Sequence, residues 1–360
     1  MLPTKGYRIP APSSASTDLQ MAPSFIIYGA NGYTGRLAAD QAKSKGLKFE
    51  IAGRSKDKIA KLALALDVPY RIFDTTDAES AIDAALADSQ VLLNCAGPFA
   101  RTAKPLMQAC IRNHAHYLDV SAELGTYGLA GTLDAEAKEA GIMLLPGCGG
   151  SVAVLGCLAG YAASRVAEPV GIDVALHVAG SMSRGSATSA AESVKTATGS
   201  LQRVDGRLVE VDQGAGGGGG GTSTFDFGDG RGSVDCFAVT LPDLITISKA
   251  TGVANVRTFV NVSGNAFPSG DISSLPDGPS VQEREANPYH ASVRVTGRDG
   301  TVVRAVLHTV NGYTFTPVAS VETARRILSG VFQIGFSTPA AVFGNTFIEN
   351  AVDGTKIVNL

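Results

Sequence analysis

The chain has 360 residues, of which 44% are hydrophobic and 18% charged, with a formal net charge of −3 and a pI of about 6.0. Its length suggests about two domains, and its charge argues against a surface for nucleic acid or anionic membranes. The five cysteines are scattered and form no CxxC pair, so neither a metal site nor a disulfide framework is expected.

Residues 1–22 are rich in Pro, Ser and Ala and lack the apolar core of a secretory signal. We expect them to form a flexible tail on a cytoplasmic protein. No apolar run reaches the roughly 18 residues of a membrane span, so we expect no membrane insertion.

The next segment alternates strand-like with helix-like stretches. The predicted strands are FIIYGA, KFEIAGRS, YRIFD, QVLLNCAGPF, HYLDVS and IMLLPGCG; the predicted helices are residues 33–44, KDKIAKLALAL, DAESAIDAALAD, KPLMQACIRNH and LDAEAKEAG. This alternation predicts an α/β fold, in which residues 23–150 form a Rossmann-type doubly wound parallel sheet that binds a nucleotide.

The second half is rich in β patterns. GIDVALHVAGS, STFDFG, SVDCFAVTLP and VRTFVNVSG are typical of strands, and ASVRVTGRDGTVVRAVLHTV predicts a hairpin. The six glycines 216–221 predict a mobile surface loop. We therefore expect a second, β-rich mixed α/β domain over residues 151–320, used for substrate binding and dimerisation. Residues 321–360, with the helix SVETARRILSG and an irregular apolar tail, are expected to pack back on the first domain.

The motif GANGYTG lies between the first strand and the first helix. Glycines at this spacing let the backbone approach a pyrophosphate, and the amides at the helix N-terminus donate hydrogen bonds to it. Asn suits a left-handed turn position. The candidate cofactor residues of this motif are Gly29, Asn31, Gly32, Tyr33, Thr34 and Gly35.

The second strand ends in Arg54 and Ser55, with Lys58 close by, where an NAD-specific fold usually carries an acid. A guanidinium can bind a 2′-phosphate in a bidentate manner, so the sequence predicts NADP(H). Asp74, after the third strand, is a candidate for the adenine amine. After the fourth strand, small residues would let the nicotinamide ribose approach the backbone; the candidates there are Asn94, Ala96, Gly97 and Pro98.

The chain resembles the saccharopine dehydrogenase-like oxidoreductases, a family that includes trans-acting enoyl reductases. The resemblance is carried, in order, by GANGYTGRL, AGRS, LLNCAGPF, HYLDVSAE, SRGSATSAAE, NGYTFTPVAS and GFSTPAAVFG. It implies an NADP(H)-binding Rossmann domain, an inserted substrate domain, often a homodimer, and reduction of a C=N or C=C bond of a small molecule. One departure is PGCGGSVAVLG, which lacks the Asp of the longer polar pattern found in many relatives.

Two other functions remain open. The pair GANGYTG and PGCGG also resembles the acyl-phosphate and semialdehyde reductases, in which Cys148 would form a thioester before hydride transfer. A redox-sensing module that holds NADP(H) without catalysis would need only the glycine turn and Arg54.

Hydride reduction also needs a proton source near the nicotinamide. The carboxyl ends of the strands offer Glu123 and Tyr127 as proton donors, beside Cys148. Substrate contacts are expected from Asp119, Arg184, Ser186 and Tyr313, with Arg184 holding an anionic group. On this hypothesis, Arg184→Ala would leave NADPH affinity nearly unchanged.

Overall fold

A computed structural model describes residues 24–196, 200–211, 221–264 and 271–360. The predicted flexible tail, and residues 216–220 of the glycine run, lie outside these residues. None of the described helices is both long enough and apolar enough to cross a lipid bilayer.

The first half of the chain alternates strands and helices as predicted. Its elements are β1 (Ser24–Tyr28), α1 (Tyr33–Ser44), β2 (Glu50–Gly53), α2 (Lys56–Leu66), β3 (Tyr70–Ile72), α3 (Glu79–Leu86), β4 (Ser89–Asn94), α4 (Phe99–Arg112), β5 (His116–Asp119), α5 (Leu124–Thr132), α6 (Asp134–Glu139), β6 (Met143–Leu145) and α7 (Gly150–Ala163).

The second half is richer in strands. Its elements are β7 (Pro169–Val178), α8 (Arg184–Thr196), β8 (Ser200–Val204), β9 (Arg207–Val211), β10 (Thr222–Asp226), β11 (Ser233–Ala238), α9 (Asp243–Thr251), β12 (Val256–Val262), a 3-10 turn (Ile272–Ser274), α10 (Val281–Ala286), β13 (Tyr289–Gly297), β14 (Val302–Thr309), α11 (Gly312–Leu328), β15 (Gly335–Phe336), α12 (Pro339–Phe343), α13 (Phe347–Ala351) and β16 (Lys356–Asn359).

The first sheet is parallel throughout and, within the described chain, has the order β15-β6-β5-β4-β1-β2-β3. Apolar side chains from both faces of this sheet enter two separate cores, which is why its strands are nearly continuous apolar runs. The order 3-2-1-4-5-6 is that of a Rossmann fold, so the predicted fold class is confirmed.

The second sheet is mixed, with the described order β10-β11-β12-β7-β13-β14-β16 and the ribbon β8-β9 attached to β12. The pair β12-β7 is parallel, whereas the neighbouring pairs along the sheet are antiparallel. The predicted hairpin is confirmed as β13 and β14, joined through residues 298–301. The core of this half lies between the sheet and α7, α9, α11 and α13.

Several helices differ from the sequence-based prediction. Helix α7 is buried on almost every side and so shows no apolar stripe from which to predict it. Helix α8 begins at Arg184, where the sequence predicted substrate contacts but no helix. Helix α11 begins at Gly312 rather than near Ser320, so the expected boundary at residue 320 falls inside a helix.

The C-terminal segment is more regular than expected and contacts both sheets. Helix α11 packs on α1 and β4, and β15 extends the first sheet beside β6. Strand β16, however, pairs with β14 in the second sheet. The end of the chain therefore contacts both halves.

Candidate cofactor site

The candidate site lies at the edge of the first sheet where β1, β4, β5 and β6 end. Strand order reverses between β1 and β4, because β2 continues on one side and β5 on the other. In open parallel sheets, ligands bind in the crevice at this reversal, outside the carboxyl ends of the strands. The loops after β1 and β4 form its two walls.

Two of the motif glycines are required by close packing. Gly29 has φ +76°, and a Cβ there would lie 2.8 Å from the Ala96 amide nitrogen in the loop after β4. A Cβ at Gly35 would overlap the Gly29 carbonyl and lie 2.9 Å from Ala30 Cα. The absence of a side chain at Gly29 therefore lets the turn pack directly on the loop after β4. The absence of a side chain at Gly35 lets α1 pack directly on the end of β1.

Gly32 has a different environment. It is exposed at the N-cap position of α1, and a Cβ there would contact only the Gly29 carbonyl oxygen, at 3.3 Å. Having no side chain, it leaves the first-turn amides of Tyr33 and Thr34 uncovered on that side. An uncapped N-terminus of a 12-residue helix at the reversal point fits a pyrophosphate group.

The adenosine side carries the predicted cation. The Arg54 side chain is 80% exposed, and its guanidinium lies 3.9 Å from the Asp74 carboxylate. Ser55 is the N-cap residue of α2, and Lys58 is exposed on the first turn. A Cβ at Gly53 would lie 3.2 Å from Asn31 Oδ1, so Asn31 extends from the turn to the end of β2.

Asn94 shapes the loop after β4 from below. It is fully buried; its Oδ1 accepts a hydrogen bond from the Ala96 amide at 2.9 Å, and its Nδ2 donates to Tyr117 Oη at 3.1 Å. Gly97 and Pro98 follow at the surface, where a Cβ at Gly97 would lie 3.2 Å from Ser189 Oγ of α8. The second half of the chain therefore reaches the crevice here.

Asp119 is the centre of a buried hydrogen-bond network. Its carboxylate accepts from Tyr117 Oη at 2.9 Å, the Ser121 amide at 2.9 Å and the Gly147 amide at 2.8 Å. Burial raises the pKa of this carboxyl to about 7. Asp119, which was predicted to contact the substrate, thus links the loops after β5 and β6 by hydrogen bonds.

The two predicted proton donors already have partners within the chain. The Glu123 carboxylate accepts from the amides of Phe99 and Ala100, at 3.0 and 2.7 Å, and so caps helix α4. Tyr127 is fully buried in α5; its hydroxyl donates to the Ser121 carbonyl at 2.5 Å, and burial raises its pKa.

Cys148 is fully buried in the loop between β6 and α7. Its amide donates to the Asp119 carbonyl at 2.9 Å. Burial, followed by the nearby Asp119 charge, raises the pKa of the thiol well above its usual range. This environment disfavours the thiolate that a thioester mechanism needs.

The three predicted residues of the second half lie near the glycine turn. Tyr313 Oη donates to Ser186 Oγ at 2.9 Å and accepts from the Ser183 amide at 2.8 Å, while its ring stands edge-on to that of Tyr33, with centroids 5.4 Å apart. Arg184 pairs with Asp277 at 2.5 Å. The structure therefore brings Ser186 and Tyr313 to Tyr33, and Arg184 to a carboxylate of the same chain.

The residues that support these groups were not predicted from the sequence. Tyr117 links Asn94 to Asp119, and Gly278 with Pro279 covers Tyr33. Tyr117 has the pattern of an ordinary strand residue, and Gly278 and Pro279 lie 245 and 246 residues from Tyr33 along the chain. Only the strand-end position of Asn94 and Asp119 gave a signal.

Comparison with known proteins gives matches to the first domain. Residues 25–145 match the family model of the saccharopine dehydrogenase NADP binding domain. A human saccharopine dehydrogenase-like oxidoreductase is 28% identical over 117 residues, which are 27% of this chain and 27% of the human protein. A trans-acting enoyl reductase of Mycobacterium leprae is 30% identical over 106 residues, which are 28% of this chain and 25% of that protein. The matches thus span about a quarter of these relatives' length.

A solved structure extends the likeness in fold to nearly the whole chain. The apo saccharopine dehydrogenase (L-Glu forming) of Saccharomyces cerevisiae superposes with a TM-score of 0.63, covering 94% of this chain and 100% of that one. Its sequence identity is 13%, so it establishes the shared architecture and nothing finer.

Proposed function

We propose that the chain is an NADP(H)-dependent oxidoreductase, because residues 25–145 match the family model of the saccharopine dehydrogenase NADP binding domain. It reduces a C=N or C=C bond of a small molecule by direct hydride transfer. The observation that carries this proposal is the uncapped N-terminus of α1 at Gly32, at the reversal point of the sheet and beside the exposed guanidinium of Arg54.

In this proposal, the nicotinamide supplies the hydride and the chain supplies binding, orientation and a proton path. The amides of Tyr33 and Thr34 bind the pyrophosphate, and Arg54 binds the 2′-phosphate. Ser186 and Tyr313 face the crevice from the second half with a linked pair of hydroxyls, which can orient a polar substrate group. The proton donor belongs to this hydroxyl pair, because both oxygens of the Glu123 carboxylate accept hydrogen bonds from the amides of Phe99 and Ala100.

The thioester alternative has less support, because Cys148 is fully buried and its thiol pKa is raised. The redox-sensing module would not need a second sheet whose helix α8 contacts the cofactor loop at Gly97. A homodimer and a cytoplasmic location remain predictions from the resemblance and composition; light scattering and cell fractionation check them.

The proposal is tested by turnover with NADPH carrying deuterium at the transferred position. The panel consists of imines formed from amino acids with 2-oxo acids, and of enoyl thioesters. We expect deuterium in the reduced product of one class, detected by mass spectrometry. Tight NADPH binding without turnover of either class would instead favour the redox-sensing module, whereas a covalent acyl-protein adduct would favour the thioester alternative.

A further inference from the structure

The phosphate-binding turn is covered by a segment from the second half of the chain, residues 275–280, here called the strap. Tyr33, the first residue of α1, carries its ring against Gly278. A Cβ at Gly278 would lie only 2.6 to 2.7 Å from the Cγ, Cδ1 and Cδ2 atoms of that ring. The Tyr33 hydroxyl donates to the carbonyl of Pro279, a buried residue between the half-buried Gly278 and the exposed Ser280.

The strap is anchored at both ends. At its start, Arg184 Nε donates to the Leu275 carbonyl at 3.0 Å, and the Arg184 guanidinium pairs with Asp277. At its end, Ser280 and Glu283 form a capping box at the start of α10, with the Ser280 amide 2.7 Å from Glu283 Oε2. These contacts fix the backbone of Gly278 and Pro279 relative to helices α8 and α10.

We propose that Gly278 and Pro279 are positioning residues for NADP(H), through which the second half of the chain sets cofactor affinity. This inference rests on the proposed function, since it assumes that the turn at Gly32 binds the pyrophosphate. The amide of Tyr33 belongs to that turn, and its side chain is held on one side by the strap and on another by the edge of Tyr313. Holding this residue in place before binding removes part of the ordering cost of association.

The same contacts assign a different role to Arg184. Its charge is paired with Asp277 and its Nε is bonded to the strap, so it acts on Tyr33 through Gly278. Arg184→Ala is then expected to weaken NADPH binding, whereas a residue that holds an anionic substrate would leave it unchanged.

The test is a double-mutant cycle read by the dissociation constant of NADPH, from calorimetric titration at fixed ionic strength. Gly278→Ala should raise this constant roughly fivefold or more, because the added methyl displaces the Tyr33 ring. In a Tyr33→Ala background, the same substitution should change it less than about twofold. Gly171→Ala, in β7, is the control, since nothing lies within 4 Å of its Cβ.

Three outcomes overturn the inference. The first is an equal NADPH dissociation constant for Gly278→Ala and the unaltered chain. The second is an equal loss of NADPH affinity on Gly278→Ala in the unaltered and the Tyr33→Ala backgrounds. If Gly278→Ala does not fold, the variants Asp277→Asn, at an exposed position, and Arg184→Ala are measured instead. The third overturning outcome is an unchanged NADPH affinity in both of these variants. The fourth result, no NADPH binding by the unaltered chain, would remove the proposed function as well and is thereby distinguished from the others.

Discussion

At the scale of residues, the candidate site separates groups that face the crevice from groups that hold it together. Asn94, Asp119 and Tyr127 are fully buried and satisfied within the chain. Gly32 and Arg54 are exposed at the edge of the sheet. The sequence placed all five at or after the carboxyl ends of strands, and it could not separate buried from exposed groups, because burial depends on the loops packed above.

Arg54 is expected to select the cofactor. Arg54→Ala should lose about 1.5–3 kcal/mol of NADPH binding, the contribution of a charge-assisted hydrogen bond, and leave NADH binding nearly unchanged. Calorimetric titration of both cofactors measures this. Arg207→Ala removes an exposed cation from β9 and serves as the control; an equal loss in the two variants would show that only net charge matters.

Cys148 is expected to be dispensable for chemistry. Cys148→Ser should fold and keep NADPH affinity, because the thiol is buried and its raised pKa keeps it protonated. Intact-protein mass spectrometry after mixing the unaltered chain with acetyl phosphate should show no added acyl group. An adduct that maps to Cys148 would instead support the thioester alternative.

At the scale of elements, three adjacent strands of the second sheet place histidines side by side. His290 of β13 is paired in register with His177 of β7 and His308 of β14, and the His290 and His308 Nδ1 atoms lie 2.8 Å apart. The Arg231 guanidinium approaches His177 Nε2 at 3.4 Å, and Asp229 pairs with Arg231. Among the described residues, no group of three or more His, Cys, Asp or Glu side chains is arranged to hold a metal ion.

The histidines of these three strands should make the free energy of unfolding depend on pH. Burial, and then Arg231, lower the pKa of His177 from 6.5 to about 4, and burial and His308 lower that of His290. Below pH 6.5 the unfolded chain therefore binds protons that the folded chain does not, so the free energy of unfolding falls as the pH drops toward 4. The melting temperature should decline over this range, and less steeply in His177→Gln. Parallel curves for the two proteins would contradict this assignment.

The elements that sequence patterns predicted are those with a clear period or turn signal. Examples are the unit formed by β1, the glycine turn and α1, and the hairpin formed by β13 and β14, because their sequence patterns reflect local geometry. Helix α7 was not predicted because it lies between core surfaces and is apolar all round. Helix α5 was not predicted either, because residues 124–132 contain three glycines and little polar contrast.

At the scale of the whole molecule, the two halves are connected around the crevice. Helix α8 lies against the loop and helix after β4, where Ser189 approaches Gly97 and Arg101 pairs with Glu192. Helix α11 packs on α1, and the chain then adds one strand to each sheet. These contacts join residues far apart in sequence, so no local pattern could predict them. They bring residues of the second half of the chain to the loop and helix after β4.

The most direct test of the account is a titration of NADPH into the unaltered chain and into Gly32→Val. A Cβ at Gly32 has room, with only the Gly29 carbonyl oxygen at 3.3 Å, so the variant should fold with an unchanged circular dichroism spectrum. Its branched side chain would nevertheless stand over the first-turn amides of α1. We predict saturable binding of one NADPH per chain, tighter than NADH, and loss of that binding in Gly32→Val. NADPH binding of equal strength in both proteins would contradict the assignment of the cofactor to this turn.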